Sequence, residues 1–396
     1  MLDFQSLAAQ IQTLLDETPE GFDPRAMALD AARRACASCD GDGSFNATIR
    51  GAMKNAMIPE SWHPALLLDD AARLCGGETA PDAPLPHCVA AADGSQIYPD
   101  AHQIDSCYLL NLSGVALRYD DPQARGSETD NAILAATPHL FGFAPDDLWH
   151  AAARESFINR EFVDARRHVA ELDELAQLLE SAPCALTIGL GDGIFDLRVA
   201  ASQGWKTFAE AENLRALDRL RATHCPVGGY IAASRATDVV TALRVVAMSG
   251  GDAGGDEVLA GLSDVRLFNA LLSDGERSPV FGATRGQSRG ASAGEGARHA
   301  TCFFYLKIES NEVARIEFPI WVAQSAGWIE ILHAIVLAQI SKGDGYPIAL
   351  MEAHEHAVVR AAERETFYAL LEDAMLARGL APRRSAKSRS KTRPLV

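Results

Sequence analysis

Cys88-Val89-Ala90-Ala91-Ala92-Asp93-Gly94-Ser95-Gln96-Ile97-Tyr98-Pro99-Asp100 is the stretch whose reading decides the fold. A short apolar run stops at an acid and then at a glycine. That pattern predicts a strand that delivers a carboxylate to a sheet end, where the chain turns sharply. A second copy lies about a hundred residues on, where Cys184-Ala-Leu-Thr-Ile-Gly-Leu190 runs into Gly191-Asp192-Gly193. Two strand-end aspartates in one domain are the minimum needed to hold a divalent metal over a phosphate.

Outward from these strands, helical and extended patterns alternate. Residues 1–82 read as helical, with Leu7, Ile11, Leu14 and Leu15 at helical spacing. Pro81, Pro84 and Pro86 break that pattern. Residues 104–117 read as a buried strand or strand pair, and residues 146–182 as one long helix with Leu172, Leu175, Leu178 and Leu179 on one side. A helix from Glu210 to Arg221, a short strand Val227–Ile231 and a helix from Ala236 to Met248 follow. Strands at Cys302–Ile308 and Val313–Phe318 and helices over 326–341 and 352–378 complete the pattern. Such an alternation implies an α/β domain with a mixed sheet. Two stretches, 249–255 and the Gly/Ser/Arg-rich 282–298, read as loops.

Composition bounds the class. The chain has 396 residues, 48% of them hydrophobic and 22% charged, as a globular protein does. It contains no apolar run of about 18 residues, so no membrane span is expected, and the N-terminus lacks the features of a secretory signal. A cytoplasmic location is expected, with the eight cysteines reduced and mostly buried. Cys36-Ala-Ser-Cys39 is a lone CxxC without the second ligand pair a zinc site needs. The net charge of −17 argues against a protein that coats nucleic acid over its whole surface. Charge is segregated, because residues 383–393 hold six basic residues and no acid. That tail reads either as a disordered solubilising segment or as a phosphate-seeking or partner-docking arm.

The candidate chemical residues each carry a bland alternative. Asp93-Gly94 and Asp192-Gly193 also read as ordinary turns, which spacing alone favours. Glu171 lies in a cluster with Asp173 and Glu174 that resembles a solvated helix face. His354, in Glu352-Ala-His-Glu-His356, is either a surface residue or a ligand or proton donor; the stretch is not an HExxH pattern. Arg277, in Asp274-Gly-Glu-Arg-Ser278, reads as a local ion pair or as a phosphate contact. Walker A, GxGxxG and GxSxG patterns are missing, which removes support for nucleotide-driven motors, nicotinamide enzymes and serine hydrolases.

Taken in order, seven blocks resemble NurA-type nucleases of the bacterial style. They are Asp93–Ile97, Gly191–Gly193, Pro226–Ile231, Gly275–Ser278, Phe303–Lys307, Ile316–Pro319 with Trp321-Val322, and Gly345–Pro347 through Glu352–Glu355. The resemblance spans about three quarters of the chain, from Ala91 to Lys391. It implies an RNase H-like mixed β-sheet flanked by helices; with the residue patterns, this divides the chain into a helical N-terminal region (1–82, for dimerisation or partner docking), a nuclease domain (83–380) and a basic tail (381–396). It further implies a 5′-to-3′ exonuclease with single-strand endonuclease activity, dependent on two Mn²⁺ or Mg²⁺ ions. Such enzymes are homodimers that work with a HerA-type hexameric ATPase in DNA end resection and double-strand break repair. Carried over, Asp93, Glu171, Asp192 and His354 would be catalytic and metal-binding, while Arg277 and Tyr98 would contact substrate. Two departures stand out: Ala101 and His102 follow Pro99-Asp100 where a basic residue is usual, and Ile194 replaces a small hydroxyl residue. A catalytically silent DNA clamp that docks the ATPase is the alternative, and a metal-dependent phosphatase is a third reading.

Overall fold

The structure is a computed structural model. It describes residues 2–16, 24–39, 43–100, 107–120, 132–142, 147–153, 158–182, 184–193, 195–197, 199–200, 202–250, 255–284, 295–309 and 312–379. The basic tail, Ala101, His102, Ile194 and most of the 282–298 loop lie outside the described residues.

Three helices come first: α1 (Phe4–Asp16), α2 (Pro24–Ser38) and α3 (Ser44–Lys54). Two short strands, β1 (Leu66–Leu67) and β2 (Glu78–Thr79), precede a long meander of β3 (His87–Ile97), β4 (Cys107–Tyr119) and β5 (Ala132–Gly142). Then come α4 (Leu148–Ala152), α5 (Arg160–Glu180), β6 (Thr187–Asp192), α6 (Lys206–Ala222) and β7 (Val227–Ile231). Helices α7 (Asp238–Ser249), α8 (Gly255–Val258) and α9 (Asp264–Leu271) lead to β8 (Glu276–Arg277) and β9 (Phe281–Gly282). The chain continues through β10 (Thr301–Lys307), β11 (Val313–Pro319), α10 (Ile320–Ala323), α11 (Trp328–Lys342), α12 (Ile348–Ala357) and α13 (Ala361–Ala377).

These strands form one mixed sheet in the order β1-β9-β10-β11-β7-β6-β3-β4-β5, with β8 bridging β10 and β2. Strands β3, β6 and β7 are parallel and the other pairings antiparallel. Parallel strands need helical crossovers, and a sheet of them is covered on both faces. Helix α5 supplies one cover, burying Phe162, Val169, Leu172, Leu175, Leu178 and Leu179. Asn159 starts that helix by accepting the Phe162 N–H at 2.9 Å. Gly189 of β6 faces α5, while Gly228 of β7, in the next pleat position, faces Leu332 of α11. Helices α5 and α11 therefore lie on opposite faces. On the other half of the sheet, α2 and α3 pack with α7 and α9 in a second core that includes Phe268, Phe281, Phe303 and Tyr305. Residues of the first 82 thus share the sheet, through β1 and β2, and its second core. No described helix is long and apolar enough to cross a membrane.

Several sequence expectations change. The helix expected over 146–182 is two helices, α4 and α5, and that over 352–378 divides into α12 and α13 around Val358-Val359-Arg360. Strand β5, which contains Pro138 and no clear alternation, has no counterpart in the sequence reading. The cysteines are not all reduced, because Cys88 at the start of β3 is joined to Cys184 just before β6, with Cα atoms 5.8 Å apart. Cys36 and Cys39 are both buried in the N-terminal core. The turn expected at Asp93-Gly94 is absent: β3 passes straight through it to Ile97, paired with β4 throughout. Asp192-Gly193 does end its strand, with Gly193 at φ 102° and its N–H bonded to the Tyr230 carbonyl at 3.0 Å.

Candidate active site

Parallel pairing of β3 and β6 sets Ala92 opposite Gly191. Asp93 and Asp192 are the next residues, so they sit on neighbouring strands about 4.8 Å apart and point to the same face. That face carries α12 and the turn before it. His354 of α12 meets Asp93 with Nδ1 2.8 Å from Oδ2. Tyr346, in the turn, donates from its hydroxyl to Asp192 Oδ1 at 3.1 Å. The Tyr346 ring packs edge-on against Tyr230, centroids 5.1 Å apart.

Glu171 arrives from the other face of the sheet. It projects from α5 toward Gly94, the residue after Asp93, and fills the space a side chain there would need. Beyond Ala92, β3 has no β6 partner. Among the described residues no strand pairs with its Gly94–Ile97 edge on that side, which lets a helix side chain reach the level of the carboxylates. Arg167, one turn earlier on α5, pairs with Glu171 Oε1 and donates to the Gly94 carbonyl at 3.2 Å.

Electrostatics follow from this crowding. The Glu171 side chain is 15% exposed. Burial pushes its carboxyl up to about 8; Arg167 offsets this in part, while the charges of Asp93 and Asp192 add to it. Asp192 is also held above its usual range, first by desolvation of its carboxylate and then by Asp93. The Tyr346 hydrogen bond, His354 and Arg167 work in the opposite direction. His168, behind Glu171, is driven down to about 4 by burial and shares its Nε2 with Asn213 Oδ1 at 3.1 Å.

The other two candidates stand apart. Tyr98 lies just past β3 on the α5 side, donating to Asp164 Oδ1 at 2.6 Å under the guanidinium of Arg160, 4.7 Å from the ring centre. Arg277 is buried on β8, bonded to the Ser278 carbonyl and 3.8 Å from Glu330. Strands β10, β11 and β7 separate it from β6, so it is not brought to the carboxylates. A cavity of about 410 Å³ opens at the end of β7, lined by Ser234, Arg235, Asp238, Arg315 and Glu317 among others, and none of Asp93, Glu171, Asp192 and His354 lines it. A far smaller one, about 20 Å³, lies against Glu171 and Asp192. The carboxylates rather than the larger cavity are the candidate site, because acids from adjoining elements that raise one another are a more specific marker than volume.

The model of the NurA domain matches residues 87–359. The chain belongs to the NurA family. The matched span contains Asp93, Glu171, Asp192 and His354. Among solved structures, a crystal structure of NurA aligns at 10% identity and a TM-score of 0.42, covering 94% of this chain and 98% of that one. NurA with manganese aligns at 11% and 0.38, covering 82% and 95%, and NurA bound to dAMP and manganese at 11% and 0.37, covering 94% and 98%. No curated protein matches the chain.

Sequence reasoning missed two residues of this cluster. Tyr346 lies within a quoted block, Gly345-Tyr-Pro347, where a phenol beside a turn glycine was the available signal. Arg167 stands four residues before Glu171, the spacing of a helical ion pair. Among the described residues, no group of three or more His, Cys, Asp and Glu side chains is arranged to hold a metal ion. Glu171 comes from the opposite face of the sheet to Asp93 and Asp192, and oxygens of all three acids hold protein partners: His354 on Asp93, Tyr346 on Asp192 and Arg167 on Glu171. The donor set still fits a hard divalent cation. It is all oxygen apart from one imidazole, and its acids repel one another, a conflict that a cation relieves.

Proposed function

We propose that this chain is a metal-dependent DNA nuclease that hydrolyses phosphodiester bonds at the end of β3 and β6. The observation that carries the reading is the meeting of Asp93, Glu171 and Asp192, from three different elements, as mutually repelling carboxylates within a NurA-family domain. Manganese or magnesium, as a pair of ions, would be held by Asp93, Glu171 and Asp192, with His354 at the rim. When bound, such ions supply charge neutralisation at the phosphate and an activated water.

The chain's own residues account for the rest. Tyr346 fixes the rotamer of Asp192 by its hydrogen bond. The His354 side chain is 62% exposed and anchored by Asp93, which suits a group that hands a proton to the leaving oxygen. Tyr98, with Arg160 and Asp164, lines the α5 side of the open β3 edge and suits stacking against a base of the strand being cut. Contacts of this kind read the backbone and the stack rather than sequence, as an end-resecting enzyme requires.

The finer reading extends the family resemblance: an RNase H-like sheet, 5′-to-3′ exonuclease and single-strand endonuclease activity, a homodimer, and a HerA-type ATPase partner in break repair. The test compares Mn²⁺-dependent hydrolysis of a single-stranded oligonucleotide with that of a small phosphomonoester. Cutting of the oligonucleotide alone supports a nuclease. Turnover of the monoester alone makes the protein a phosphatase, and activity in neither, even with the ATPase added, leaves a silent clamp.

A further inference from the structure

Resting on the nuclease reading, we propose that Arg167 is a phosphate-binding residue kept in waiting by Glu171. Its guanidinium neutralises Glu171 until a divalent cation binds there, and then turns to a phosphate of the DNA strand.

Three observations carry this. Arg167 spends Nη1 on Glu171 Oε1 and on the Gly94 carbonyl. Its Nε is buried with no hydrogen-bond partner among the described residues. A guanidinium has five donors in a rigid fork, and a buried donor left without an acceptor is costly. The fork is therefore only part-used in this state, and phosphate oxygens are the acceptors it matches best.

Position is the second argument. Arg160, Asp164, Arg167 and Glu171 follow one another at three- and four-residue spacing on one stripe of α5. Gly94 and Gln96 of β3, and Tyr98 just after it, face that stripe past the point where the β6 pairing ends. Arg167 is the member of the stripe next to the carboxylates, so a strand entering along it meets Arg167 immediately before the site.

Charge is the third. Among the described residues, Arg167 is the permanent cation that acts on both Glu171 and Asp192, and it also feels the charges of Asp93 and Asp164. A divalent ion on Glu171 repels the guanidinium from the shared oxygen. Asp164 already accepts from the Tyr98 hydroxyl and Asp93 would share the ion, so the incoming phosphate is the acceptor left to it.

The test uses the full chain with Arg167→Met, which keeps the apolar stem, and Arg167→Lys, which keeps the charge but not the fork. Mn²⁺ alone is titrated by electron paramagnetic resonance. Separately, binding of a labelled single-stranded phosphorothioate oligonucleotide is measured at saturating Mn²⁺. For Arg167→Met, Mn²⁺ should bind about tenfold tighter and the oligonucleotide about tenfold weaker. A residue that merely supports Glu171 would move both affinities downward or leave both unchanged, and either result overturns the proposal. If the Met variant does not fold, Arg167→Lys decides: Mn²⁺ affinity near wild type with several-fold weaker oligonucleotide binding supports it, and unchanged oligonucleotide binding overturns it. A wild-type protein that binds no Mn²⁺ and cuts no DNA would instead defeat the nuclease reading itself.

Discussion

Glu171 reaches the edge of β3 only because residue 94 is glycine: a Cβ there would lie 2.9 Å from Glu171 Oε1 and 2.9 Å from Leu112 Cδ2. Gly94 thus serves the close approach of a helix side chain from the opposite face, not a turn. Replacing it with alanine should displace Glu171 and strain the α5–β4 contact. Gly94→Ala is expected to cost about 1–3 kcal/mol of stability and most of the nuclease activity. Gly191→Ala, whose added Cβ meets nothing nearer than 3.8 Å, should be tolerated. Thermal unfolding and DNA cleavage of the two variants check this contrast; equal behaviour would contradict the steric role.

Asp192 is raised as an acid by desolvation of its carboxylate and by Asp93, but the residue is exposed and solvent screens much of that cost. Asp192→Asn should therefore leave the melting temperature of the metal-free protein unchanged or raised. The same change should lower cleavage at least about a hundredfold. Calorimetry beside a cleavage assay reads both, and a variant that unfolds would show that Asp192 is a structural acid.

Tyr346 touches Asp192 through its hydroxyl and Tyr230 through its ring. Tyr346→Phe keeps the ring and loses the hydrogen bond. Metal affinity or activity should fall about tenfold with little change in stability, as when an outer partner of a ligand is removed. A fall in stability without a change in metal titration would place Tyr346 in the core alone.

Away from the site, Asp264 at the start of α9 is wholly buried, and burial pushes its carboxyl up to about 7, with Asp238 adding to the shift. The N–H groups of Val239 and Val240 and the Tyr305 hydroxyl oppose it. A raised folded value means that the native state holds its proton more tightly than the unfolded chain. The associated stability is complete below pH about 4 and lost as pH rises toward 7. His168 and His333, both lowered to about 4, contribute the opposite slope between there and their unfolded value. The difference between wild type and Asp264→Asn isolates the carboxyl: the wild type should lose stability relative to the variant as pH is raised through this window. Urea unfolding at pH values on either side of the window measures it, and parallel curves would contradict the burial argument.

What could be read from residues alone divides along physical lines. Asp93 and Asp192 are legible because each follows an apolar run, and a buried strand leaves few places for an acid. Glu171 is not legible from its own neighbourhood. Of the three nearby acids, Asp173 is bound by Arg215 at 2.6 Å, and only the docking of α5 on β3 decides that Glu171 faces the sheet. The same holds for Arg166 and Arg167: one turns to Asp147 at 2.8 Å, the other to Glu171. Strand β5 escapes notice because its partner β4, not its own alternation, holds it in place. The break between α12 and α13 is local and equally silent, with Val359 and Arg360 giving no proline or glycine signal.

The most direct test is cleavage of 5′-labelled single-stranded DNA by the full chain with Mn²⁺ or EDTA, beside Asp93→Ala. Cutting that requires Mn²⁺ and disappears in a folded Asp93→Ala protein is the predicted result. Undiminished cutting by that variant would contradict the assignment of the site to the end of β3 and β6.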